Sequence, residues 1–174
     1  VGGAFIFDGL IWRGKAGFAG EFGYVAINSE GMRLEDVASS ANIIRRTRSR
    51  ILQDSTSSLS SLEAADIGIF DIVSAAETED DLAQMMLGRT GDYVGTAIAS
   101  VINLLNIETI VLGGELMEAG HYVLDAVVSR ARELSFGPSF ASTRIVSGTL
   151  GRNAAAAGVA LIAADGQEDA APKR

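Results

Sequence analysis

Cysteine is absent from the 174 residues, so disulfides and thiolate metal sites are excluded. Histidine occurs once, as His121, in a segment that reads as helix and places it at the surface. One imidazole without thiolates cannot build a tetrahedral zinc site, and no metal is expected. Basic residues are the minority, 14 against 22 acidic ones, and the resulting net charge of −8 argues against nucleic-acid contact by this segment. The longest apolar stretch, Val94–Leu105, is too short to cross a bilayer. The expectation is a protein without a membrane partner, located in the cytoplasm. Only two prolines interrupt a composition that is 48% apolar, which describes a folded chain, one domain or part of one, with a sizeable core.

What is abundant is glycine, and it is concentrated at the start. Val1–Val25 holds seven glycines among apolar residues. Ala4–Phe7 reads as a short strand, Asp8-Gly9 as a tight hairpin turn, and Leu10–Trp12 as the returning strand. Gly14, Gly17 and Gly20 recur every three residues, a spacing suited to a backbone that turns repeatedly and approaches a ligand or another backbone. Glu21 follows between Gly20 and Phe22-Gly23, a carboxylate on a turn rather than on a helix face.

Further along, Tyr24–Ile27 reads as a third strand closed by the turn residues Asn28–Gly31. Leu34, Val37 and Ala38 share a helical face, with Glu35 and Asp36 where a helix start favours negative charge. Arg45, Arg46, Arg48 and Arg50 cluster on the next helical segment, readable as an anion patch or as a solvated face. Ser55–Ser61 is a polar, low-complexity connection. A helix is predicted over Thr90–Leu105, apolar nearly all round, with Gly88 and Gly91 as candidate breaks in the longer pattern that begins near Asp80. Ile107–Leu112 reads as a strand ending on Gly113-Gly114, Glu118–Leu134 as a helix, Ser142–Ser147 as a strand, and Asn153–Ala164 as an alanine-rich helix suited to close packing. The domain is taken as residues 1–166, and 167–174 as a polar tail. Strands followed by alternating strands and helices predict an α/β domain, a mixed sheet covered by helices. The hairpin and the strands at Thr109–Leu112 and Arg144–Val146 are expected to share that one sheet.

The order of these motifs resembles the ROK family of repressors and sugar kinases. Gly2-Gly3-Ala4-Phe5-Ile6-Phe7-Asp8-Gly9, then Arg13-Gly14, then Gly20-Glu21-Phe22-Gly23-Tyr24 follow the family's glycine-rich hairpin and its Gly-Glu-Ile-Gly-His turn. Ile110-Val111-Leu112-Gly113-Gly114 looks like the strand and Gly-Gly of the adenosine site, and Leu34–Ser39 resembles the segment carrying a second sugar-binding Glu. The resemblance implies a ribonuclease H-like, actin/hexokinase-type fold and a C-terminal portion of something longer. It implies sugar contacts by Glu21, Tyr24 and Glu35, and nucleotide-site roles for Gly2, Gly3, Gly113 and Gly114, with ATP and Mg²⁺ only if the chain is kinase-like.

Three departures from the family pattern shape the functional expectation. Tyr24 stands where the family has His, the Cys-rich zinc cluster is missing, and the chain between Glu21 and Glu35 is short. The catalytic Asp and first phosphate loop of family kinases lie upstream of the matching hairpin, and Asp8 in its turn is a poor substitute. The expected function is therefore a non-catalytic, sugar-sensing effector region of a transcriptional regulator, with a hexose or hexosamine-like ligand. The alternative is the C-terminal half of an ATP-dependent sugar kinase. A homodimer or higher homo-oligomer is expected, with DNA contacted only through a helix-turn-helix outside these residues.

Overall fold

The computed structural model describes residues 1–53 and 55–164, so the polar tail expected at 167–174 lies outside the described residues. Two short strands open the chain, β1 (Phe5–Phe7) and β2 (Leu10–Trp12), paired antiparallel with Phe7 opposite Leu10. Asp8 and Gly9 join them with φ of 52° and 77°. Positive φ at both positions is the signature of a type I′ turn, whose twist matches that of the flanking strands. Helices α1 (Glu35–Ala38), α2 (Ser40–Ile51) and α3 (Ile69–Glu77) follow, then the 25-residue α4 (Asp81–Leu105). The chain closes with β3 (Thr109–Leu112), α5 (His121–Leu134), α6 (Gly137–Ala141), β4 (Arg144–Ser147) and α7 (Ala154–Ala164).

The core forms around α4. Its start is fixed by Asp80, whose side chain accepts from Ala83 N at 3.0 Å, and its end by Asn106 in the left-handed region at φ 49°. Leu87 and Ile102 of α4 are fully buried against Ile43 of α2, Ile72 of α3 and Val123 and Val127 of α5. Gly88 and Gly91 do not divide this helix. Gly91 and Gly95 instead let α5 lie close: a Cβ at Gly91 would stand 2.6 Å from Val123 O, and one at Gly95 2.7 Å from Val127 O. Gly88 meets nothing within 4 Å and has no such role.

The arginine cluster on α2 is divided: Arg45 and Arg50 are exposed as a solvated face would have them, while Arg46 and Arg48 turn inward. Arg46 turns inward to Val37 O and Thr90 Oγ1, both at 2.8 Å, with its guanidinium over the Tyr93 ring. Burial lowers its pKa, and so do the neighbouring Arg89 and Arg45 charges, while Tyr93 acts the other way. Arg48 clasps the carbonyls of Ala65 and Ile67. Arg45 bonds Asn42 Oδ1. The serine-rich connection is also anchored, because Ser57 and Ser58 converge on Asp80 Oδ2 and Ser58–Ser61 closes a 3₁₀ turn.

Four further expectations need correction. The hairpin and the later strands do not share a sheet: among the described residues β1–β2 and the parallel pair β3–β4 are separate two-stranded sheets. The reason is physical, since no described strand lies between β1 and β3 to link them. The expected third strand is reduced to one bridge, Ala26 with Arg33, because Phe22–Tyr24 takes a 3₁₀ turn instead. The helix expected from Glu118 begins at His121, because Gly120 at φ 55° separates it from a 3₁₀ turn over Glu115–Ala119. Finally, α7 buries none of its residues, and Val159 and Leu161 are exposed. Among the described residues no helix is long and apolar enough to cross a membrane.

Candidate functional site

The glycine-rich start builds a rigid turn around Glu21. Gly20 sits at φ 100°, and a Cβ there would collide with Gly3 O at 2.1 Å. The same pair is tied by Gly3 N donating to Gly20 O at 2.9 Å. On the other side, a Cβ at Gly23 would stand 2.8 Å from Val1 O and 3.1 Å from Glu35 Oε2. Glu21 is thus held between two positions that accept only glycine, with its carboxylate exposed. Its carbonyl accepts from Tyr24 N at 3.1 Å.

Tyr24 projects outward at 66% exposure, with the Arg33 guanidinium 4.7 Å from its ring centroid. Ile27 N to Met32 O (2.8 Å) and Leu34 N to Val25 O (2.9 Å) close the intervening loop as a small hairpin. That closure delivers Glu35 directly to the first turn of α1. Glu35 is half-buried, packs against Gly23, and accepts from Val1 N. Its backbone carbonyl receives Ser39 Oγ (2.9 Å) and Asn42 Nδ2 (3.0 Å), and Asn42 Nδ2 also reaches Ser39 Oγ. Ser39 and Asn42 therefore position Glu35 and were not singled out from sequence. The polar residues one and two helical turns after Glu35 were the available signal.

A groove of about 530 Å³ runs beside this turn. One wall is Val1–Ile6, the other is β3 with Gly113 and Gly114, and the floor is apolar: Val94, Ala97, Ile98 and Val101 of α4. All four glycines expected at a nucleotide site border it, whereas Glu21, Tyr24 and Glu35 do not. Their geometries differ. Gly3 makes room for the Phe22 ring, which a Cβ would approach to 2.3 Å, while Gly2 and Gly113 face open space. Gly114 at φ 92° takes a backbone conformation that favours glycine, and the 3₁₀ turn of Glu115–Ala119 starts there. The apolar floor of α4 was legible only as core. Of the polar side chains at that end, Ser39 and Ser40 line the groove, and Glu21, Tyr24 and Glu35 lie outside it. Among the described residues no three His, Cys, Asp or Glu side chains gather as a metal cluster would require.

Known proteins share this architecture. The glucokinase of Halalkalibacterium halodurans is 33% identical over 139 residues, 73% of this chain and 42% of that protein. The N-acetylglucosamine repressor of Escherichia coli O157:H7 is 32% identical over 137 residues, 74% of this chain and 33% of that protein. A crystal structure of a ROK family transcriptional regulator, a homologue of the E. coli MLC protein, superposes with a TM-score of 0.76 at 32% identity, covering 84% of this chain and 38% of that one. The chain thus spans roughly a third to two fifths of the length of these relatives. Residues 1–166 match the ROK family as a whole, and with these identities the chain belongs to the ROK family.

Proposed function

We propose that these residues form the sugar-sensing effector region of a ROK-family transcriptional regulator, binding a hexose or hexosamine without turning it over. The observation that carries the reading is the closed loop between Glu21 and Glu35. It is only a small hairpin, with Tyr24 exposed beneath Arg33 where the family pattern it resembles carries a histidine beside a zinc cluster. Glu21 and Glu35 accept sugar hydroxyls, Tyr24 supplies a hydrogen bond at the rim, and phosphoryl transfer lacks a base among these residues. In this reading the ribonuclease H-like class of the fold, the cytoplasmic location and a homodimer are further parts of the proposal. DNA contact belongs to a helix-turn-helix elsewhere in the protein.

A kinase reading is favoured by one observation, the glucokinase relative of equal identity, with Gly113 and Gly114 at the nucleotide. Calorimetric titration of glucose and N-acetylglucosamine into the full-length protein, alongside an ATP-dependent phosphorylation assay, separates the two. Binding of either sugar with no phosphorylated product is the expected result. Product formation establishes the kinase, and no binding of either sugar sinks the sensor reading.

A further inference from the structure

Positive charge is gathered on one face of a protein whose net charge is −8. Helix α2 carries four arginines and no acidic residue. Two of them, Arg48 and Arg50, lie in its last turn, where the helix dipole favours a cation, and Arg48 is taken up by the Ala65 and Ile67 carbonyls. The dipole gives no such support to Arg45 and Arg46, which precede that turn.

Across from them on α4 stands Arg89. It precedes Thr90, which accepts from Arg46 Nη2 at 2.8 Å. It also lies one helical turn before Tyr93, whose ring centroid is 5.5 Å from the Arg46 guanidinium. The three guanidinium groups are therefore neighbours. Burial lowers the Arg46 pKa most, and the Arg89 and Arg45 charges lower it further, against Tyr93.

What the face lacks is a counter-charge. Among the described residues no carboxylate pairs with Arg45, Arg46 or Arg89. Asp92, the acidic residue of α4 within helical reach of Arg89, borders a separate polar recess with Tyr93, Thr96, Arg130 and Glu133. Arg46 also keeps one buried donor, Nε, without an acceptor among the described residues. A half-buried guanidinium flanked by two like charges costs stability unless something neutralises it.

The cluster is nonetheless held in place. Arg45 donates to Asn42 Oδ1 through Nε at 3.1 Å and Nη2 at 2.8 Å, and Arg46 Nη2 donates to Val37 O and Thr90 Oγ1, both at 2.8 Å. Each guanidinium plane is fixed with donors to spare, the arrangement arginine offers to phosphate oxygens.

We propose that Arg45, Arg46 and Arg89, none of which lines the groove, form a binding site for a small phosphate-type oxyanion. Inorganic phosphate and a phosphate monoester share this chemistry. Three positive charges suit a dianion better than a single carboxylate. A polyanion such as nucleic acid is disfavoured, because the protein around the cluster is acidic.

The test is a titration of inorganic phosphate into the full-length protein at constant ionic strength, with chloride as the anion replaced, followed by calorimetry and by melting temperature. Saturable binding and a rise in Tm are expected. Arg45→Gln and Arg89→Gln alter exposed side chains, and each is expected to weaken phosphate about tenfold. In phosphate-free buffer of low ionic strength Arg89→Gln is expected to melt no lower than the parent, because a like charge is removed. That result separates loss of a site from loss of structure. Lys15→Gln makes the same change in net charge at another exposed position and is expected to bind phosphate as the parent does. Methyl phosphate that binds as well as phosphate assigns the site to monoesters, and methyl phosphate that does not bind assigns it to the inorganic ion. No saturable binding at millimolar phosphate, unchanged affinity in either arginine variant, or an equal loss in Lys15→Gln overturns the proposal. So does displacement of phosphate by glucose, or an Arg89→Gln variant that melts below the parent without phosphate.

Discussion

The α-carbon of Gly91 on α4 lies so near Val123 on α5 that a Cβ added to it would stand 2.6 Å from the Val123 carbonyl oxygen. The other obstructing atoms are the Ala126 Cβ at 2.6 Å and Val127 N at 3.2 Å, neither of which can rotate away. Gly91→Ala is expected to destabilise the fold by about 1–3 kcal/mol through overpacking, more than its gain in helix propensity. Gly88→Ala, three residues earlier in open space, is expected to stabilise by about 0.5–1 kcal/mol. Urea melts of the two variants give shifts of opposite sign. If both stabilise, the close packing of α4 and α5 is not what holds Gly91.

Asp80 ties the serine-rich connection to the start of α4, and this contact is pH-sensitive. Burial pushes its pKa up, but hydrogen bonds from Ala83 N, Ser58 Oγ, Ser57 Oγ and Ser58 N outweigh it and leave the net shift downward. A carboxylate whose folded pKa lies below the unfolded value of about 3.9 contributes stability that is fully present above that value. The contribution is lost as pH falls through the folded pKa. Asp80→Ala is expected to cost about 2 kcal/mol at pH 7 and to flatten the stability profile below pH 4. A variant whose acid-induced loss of stability matches the parent removes Asp80 from this role.

Arg48 gives a test of the arginine cluster. Its planar fork reaches Ile67 O at 2.7 and 3.2 Å and Ala65 O. Lysine keeps the charge without the fork, so Arg48→Lys is expected to cost about 1–2 kcal/mol. That corresponds to a fall in Tm of about 2–4 °C per kcal/mol for a chain of this size. A purely solvated arginine would tolerate the exchange with no change in melting.

The local signals in the sequence were strong where one residue type is dictated by backbone geometry. Asp8-Gly9 is a hairpin turn because both positions need positive φ, and Gly20 and Gly23 frame Glu21 because any side chain would strike Val1 or Gly3. The strand ending on Gly113-Gly114 was legible from its β-branched run for the same reason. What the sequence hid depends on partners far along the chain. Arg46 and Arg48 look like surface charges until Thr90 and Ile67 arrive to accept their hydrogen bonds. Gly91 looks like a helix break until α5 packs on it. The separation of the two sheets is invisible to any local pattern, since a strand carries the same alternation whether or not its outer edge is paired.

If the sensor reading holds, Glu21 is the residue whose loss separates sugar binding from folding. Its backbone is set by Gly20 and Gly23, and its side chain is exposed, so Glu21→Gln leaves the turn and the core intact. The amide keeps the shape but replaces one of two acceptor oxygens with a donor, and a sugar hydroxyl bonded there loses a charge-assisted contact. Loss of one such contact costs about 1–3 kcal/mol, about ten- to a hundredfold in Kd. Glu30→Gln makes the same change in net charge on the neighbouring loop, where Ser29 Oγ donates to Glu30, and is expected to leave affinity unchanged. Titrations of N-acetylglucosamine and glucose into the full-length variants give the comparison, with melting curves as the check on folding. Equal affinities for parent and Glu21→Gln remove Glu21 from the sugar site, and parallel losses in both variants make the effect one of net charge rather than of a built contact.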